Sequence, residues 1–173
     1  EDPEEIIAGR PDAEKFWGLN LDNWLDIAVF NFTVDRAGSH QIMEYRESSY
    51  IPWGESQEEV LEDEEDHYDN GVENLKQFAK DPAQLAAFQE IYDRVMPNCL
   101  KRAFGRLEGA DNDFCLSHGL KRNKTEDIVN RYLKEMRSHM EGTGLMFPPM
   151  SAFEDINCEL ADSTKEILLS MQR

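Results

Sequence analysis

Apolar residues recur along most of the chain at intervals of three and four, the spacing that gathers them on one side of an α-helix. The clearest run follows Asp81. Leu85, Phe88, Tyr92, Val95 and Cys99 form one stripe, and Ala87, Ile91, Met96 and Leu100 widen it. Asp81-Pro82 supplies a capping carboxylate, then a proline at the first helical position, where a missing N–H is harmless. These features predict a long central helix over about 82–104, kinked at Pro97 and ended by Gly105 or Gly109. Thr125 opens another helix. Ile128, Val129, Tyr132, Leu133, Met136 and Met140 make its apolar face, Glu126 and Asp127 suit its positive end, and Gly142 follows at the capping position.

Three Ser-x-x-Glu patterns read as capping boxes. The one at Ser56–Glu59 predicts a helix start, with Asp69-Asn70-Gly71 as its stop or turn. Val72, Leu75, Phe78 and Ala79 then form a second short face. The boxes at Ser151–Glu154 and Ser163–Glu166 predict short helices over about 151–161 and 164–172, after the break at Pro148-Pro149.

Other stretches are less periodic. Residues 1–11, with two prolines and a glycine, read as an extended N-terminal arm, and Asp12 caps a short helix through Gly18. In 21–34, Leu21, Trp24, Leu25, Ala28, Val29 and Phe32 follow helical spacing, while Phe30, Phe32 and Val34 follow strand spacing. Length favours the helix and leaves the strand open. Arg36 to Gly54 shows no clear period and reads as a loop held by Tyr45, Tyr50 and Trp53. Gly109 to Asn123 is polar and irregular. There is no internal repeat and no strand–helix alternation. The fold class expected is mainly α: one compact multi-helix domain over 1–173, with a long central helix and several shorter ones. At 173 residues and 40 % hydrophobic content the chain can build one core.

Charge changes the picture. There are 36 acidic and 18 basic residues, a formal net charge of −18. Residues 1–70 hold 20 acidic and 4 basic residues, so almost the whole excess lies there. Direct binding to nucleic acid is excluded as an expectation, and so is adsorption to an anionic membrane, because both need an attractive field. No apolar run reaches the roughly 18 residues of a spanning helix, which leads to the expectation of a soluble protein. Between Glu55 and Asp69, nine of fifteen positions are acidic and none is Lys or Arg. Like charges at helical spacing repel by a few tenths of a kcal/mol per pair, so a basic partner or cations would relieve them. Lys121, Arg122 and Lys124 form a local basic cluster, either a surface patch or a mate for the acidic segment.

Specific chemistry is sparse. A calcium loop aligned on Gly71 fails at Tyr68 and Gln77, where its ligands should stand. No His-Glu-x-x-His helix, phosphate-binding glycine loop or Gly-x-Ser-x-Gly elbow occurs. Cys115 and His118 offer two zinc ligands where a structural site needs four, and as a nucleophile–base pair they lack an orienting third group. Three cysteines rule out a complete disulfide framework. The sequence starts at Glu1 rather than at methionine and contains two sequons, at Asn31 and Asn123. These weigh extracellular and intracellular residence equally.

The expectation is a non-enzymatic acidic interaction protein, inhibitor- or immunity-like. It would present Glu58, Glu59, Glu62, Asp63, Glu65, Asp66 and Asp69 to a basic protein surface. No cofactor, metal site or catalytic residue is assigned. The alternative is an extracellular helical carrier with a small hydrophobic ligand held by Trp24, Phe88, Tyr92, Met96, Tyr132 and Met136.

Overall fold

A computed structural model describes residues 23–172. The arm expected over 1–11 and the short helix over 12–18 lie outside the described residues. The chain forms helices α1 (Trp24–Phe30), α2 (Arg36–Arg46), α3 (Ile51–Phe78), α4 (Pro82–Ala103), α5 (Ala110–Ser117), α6 (Thr125–Met140), α7 (Met150–Asp155) and α8 (Asp162–Leu169). Asn31–Asp35 is a π-turn that carries α1 into α2 without a break. The all-helical class is as the periodicity implies. Among the described residues the one β feature is an isolated bridge, Phe147 to Gln172. No described helix is long and apolar enough to cross a membrane.

Of the segment 21–34, the described part falls to helix rather than strand from Trp24 onward. Asn23 caps α1 by accepting from the amides of Leu25 and Asp26. The π-turn then inserts extra backbone, which lets Phe32, Thr33 and Val34 all turn inward. This explains the mixed periodicity there.

Two corrections concern α2 and α3. The loop expected over 36–54 is largely α2, whose inward face is polar: Ala37, Ser39, His40 and Glu44 are its buried residues. A helix that buries polar groups carries no apolar stripe, so hydrophobic spacing is silent. Second, α3 is a single 28-residue helix, longer than the central one. It starts at Ile51 with Pro52 in its first turn, five residues before the supposed box, and runs straight through Asn70-Gly71. Ser56 Oγ instead donates back to the Trp53 carbonyl. Ser151 and Ser163 do not cap either: α7 and α8 have Pro149 and Ala161 at their N-caps.

Gly71 is interior because two backbones touch there. A methyl group on it would lie 2.4 Å from the Phe32 nitrogen. Gly54 does the same near the other end, 2.7 Å from the Arg46 carbonyl oxygen. The pairs 54/46 and 71/32 run in opposite directions along the two strands of helix, so α1–α2 and α3 form a tight antiparallel hairpin.

α4 lies against this hairpin as the buried spine. Asp81 Oδ1 accepts from the amides of Ala83 and Gln84, the cap read from the sequence. The helix ends at Ala103, and Gly105 takes φ +74° just beyond it. α6 spans Thr125–Met140 as expected, with the six named apolar residues all buried. Gln89, buried in α4, holds the extended 145–147 segment through both its amide atoms, to the Met146 carbonyl and the Met146 N–H.

Candidate functional site

The outer face of α3 carries the acidic run. Glu55, Glu58, Glu62, Asp66 and Asp69 follow one another at steps of three or four, forming a single exposed row alongside the buried stripe of Gly54, Gln57, Leu61, Tyr68 and Val72. Glu59 flanks it. At 1.5 Å rise per residue the row is about 21 Å long. These six carboxylates are exposed, and among the described residues none forms an ion pair with lysine or arginine. The side chains of Asp63 and Glu65 lie outside the described residues. At the amino end of the row stand Tyr50 and Ile51, 61 % and 64 % exposed, large apolar side chains left in solvent.

The basic cluster does not answer the row. Arg122 pairs with Glu47. Lys121 is buried, and its ammonium donates to Thr125 Oγ1 at 3.1 Å. Desolvation lowers the Lys121 pKa from the usual lysine value.

Between α2 and α6 lies a buried polar seam that hydrophobic patterning missed. His40, 1 % exposed, accepts at Nδ1 from Arg131 Nε (3.2 Å) and is bonded at Nε2 to Glu135 Oε2 (2.9 Å). Because arginine can only donate, the imidazole proton belongs on Nε2 and the ring is neutral. Burial, outweighing Glu135, lowers its pKa. Glu135 also pairs with Arg36. Burial alone would raise the Glu135 carboxyl, but His40 and Arg36 bring it down to about 2. Glu44 accepts from Arg131 Nη2 at 2.8 Å and from both the backbone and side-chain nitrogens of Asn123 at 3.0 Å. Each of these residues has at least one partner, and the seam bolts α6 to the hairpin.

Both sequons are spent inside the fold. Asn123 is held by Glu44, and Thr125 is buried. Asn31 sits in the π-turn beside the fully buried Phe32 and Thr33.

On the other side of the hairpin, where the π-turn meets α3, Asp35, Glu64 and His67 converge. One potential ligand atom from each lies within 4.8 Å of the others. His67 Nδ1 is 3.8 Å from Asp35 Oδ2 and 4.0 Å from Glu64 Oε2. Burial, with Glu64 as the next cause, pushes the Asp35 carboxyl up to about 7, against a smaller lowering by His67.

The residues named for a ligand pocket are dispersed differently. Trp24 is 61 % exposed, away from the rest. Phe88, Tyr92, Met96, Tyr132 and Met136 are fully buried in one packed cluster. Tyr132 Oη lies 3.6 Å from Met96 Sδ, and the Phe88 ring is edge-on to Phe32. The grooves seen at the surface are lined by other residues, among them Glu108, Asn112 and Lys121. Cys99, Cys115 and Cys158 are free thiols. His118 bonds to the Phe114 carbonyl and stacks on the Phe114 ring, and no hydrogen bond joins it to Cys115.

Comparison with known proteins found no family model and no curated protein that matches the chain.

Proposed function

We propose that this protein is a non-enzymatic binder that uses the outer face of α3 to engage a basic protein surface. The observation that carries the reading is the row Glu55–Glu58–Glu62–Asp66–Asp69, exposed on one long helix and, among the described residues, without a lysine or arginine ion-pair partner. A helix fixes the spacing of the carboxylates, so a partner presenting lysines or arginines at matching intervals gains register as well as attraction. Long-range attraction from a net charge of −18 speeds encounter. Tyr50 and Ile51 at the head of the row offer the apolar contact from which binding energy is usually drawn, with charges at the rim setting orientation. Inhibitor- or immunity-like proteins that cover a cationic site fit this pattern.

The test is affinity capture from the native source, identified by mass spectrometry, at low and high salt. The full chain should retain a basic protein that a Glu58→Gln/Glu62→Gln/Asp69→Asn variant does not. Retention should weaken as salt rises. Capture that survives the triple substitution or is indifferent to salt would refute the reading.

A further inference from the structure

We infer that Asp35, Glu64 and His67 form a binding site for one divalent first-row transition-metal ion of the zinc or manganese kind. The three side chains supply two carboxylate oxygens and one imidazole nitrogen, all within 4.8 Å of one another. They come from two elements. Glu64 and His67 are three residues apart on α3, which puts them on the same face one turn apart. Asp35 reaches them from the last position of the π-turn.

Three features separate this set from an ordinary acidic patch. Asp35 is mostly buried, with a side-chain exposure of 14 %, and among the described residues no lysine or arginine is within ion-pair distance of it. Arg36, its neighbour in sequence, is drawn away to Glu135 and lies over the Tyr68 ring, 4.3 Å from its centroid. A carboxylate buried as Asp35 is costs free energy unless a cation or proton joins it. Asn31 also faces Asp35: with its amide in the orientation that satisfies both its oxygen and its nitrogen, the nitrogen donates to Asp35 Oδ2 and to the Ile27 carbonyl, both at 3.1 Å. Such a bond orients a ligating carboxylate. Finally, His67 is 56 % exposed and leaves an entry path and open positions for water.

The ligand set decides the metal. Calcium and magnesium favour oxygen alone, whereas one imidazole with two carboxylates suits zinc, manganese and their neighbours. Donors around such an ion stand about 3.0–3.4 Å apart at bond lengths near 2.1 Å, octahedral to tetrahedral. The observed 3.8 and 4.0 Å separations from His67 must therefore close by roughly 0.4–1 Å, within reach of rotation of the exposed His67. The site does not depend on the docking row, and variants of each leave the other intact.

The test uses the full chain after chelator treatment, titrated with Zn²⁺ by calorimetry and with Co²⁺ by visible absorption. One site is expected, with micromolar or tighter affinity and a cobalt spectrum of mixed nitrogen–oxygen ligation. His67→Ala, at an exposed position that folding tolerates, should weaken binding at least about tenfold and remove the nitrogen signature. Asp35→Asn should weaken it similarly, while Glu58→Gln/Glu62→Gln should not change it. Affinity unmoved by His67→Ala, equal loss in the Glu58/Glu62 variant, or no uptake at millimolar metal would each overturn the site.

Discussion

His40 shows how a single side chain can dictate an element. It is neutral because Arg131 donates to one nitrogen and the other must then donate to Glu135. Charging it would turn the Arg131 contact into a repulsion, with Arg36 near as well. Its pKa is lowered in the fold, so the unfolded chain takes up the proton first as pH falls below about 6.5. Stability is therefore present above that pH and declines below it. Thermal melts between pH 7.5 and 5 should show a falling midpoint. His40→Gln, which can both accept from Arg131 and donate to Glu135 without titrating, should flatten the decline. A midpoint equally steep in the variant would count against this role. Glu135, held at about 2, contributes in the same direction only in stronger acid, from about pH 4.5 downward.

At the scale of the element, α3 is set by its glycines. Intrinsic propensity says Gly71→Ala should help a helix interior by roughly 1 kcal/mol. The crossing says otherwise, since the added methyl meets the Phe32 backbone at 2.4 Å and backbone cannot rotate aside. Overpacking of this kind costs about 1–3 kcal/mol or more, so steric conflict wins. Gly71→Ala should lower stability in chemical denaturation, while Gly38→Ala on α2, with nothing within 4 Å, should be neutral or stabilising. The same contact explains why Asn70-Gly71, a turn signal in isolation, is read through by the helix: burial of Val72 and Leu75 beyond it rewards continuation. The Asp81 cap, the Gly105 stop and both bounds of α6 were legible, because each rests on local chemistry.

Across the whole molecule, charge and packing are segregated. Phe32, Phe88, Tyr92, Tyr132, Leu133 and Met136 close a continuous core through the π-turn, α4 and α6. Ten acidic residues against one lysine on α3 make up half of the net charge of −18, and there the carboxylates repel one another. Neutralising Glu58, Glu62 and Asp66 together should raise the melting midpoint slightly at low ionic strength, each repulsion being worth a few tenths of a kcal/mol. That gain should shrink in about 0.5 M salt, where screening already relieves the wild type. An equal gain at both salt concentrations would show that the residues act through something other than charge. Such a surface costs a little stability and leaves an anionic row in solvent.

What the sequence determined by itself was whatever depends on neighbours along the chain: helical class, the capped ends of α4, the apolar face of α6, and the density of carboxylates near residue 60. Only the tertiary structure decided that 36–46 is a helix, because its inward face is polar and is satisfied by Arg131 and Glu135, ninety or so residues away. It alone made one helix of 51–78, since the glycines that would end it locally are the places where two backbones meet. It alone brought Asp35 to Glu64 and His67, since side chains from separate helices meet only through packing, and no spacing in one strand of sequence encodes that meeting.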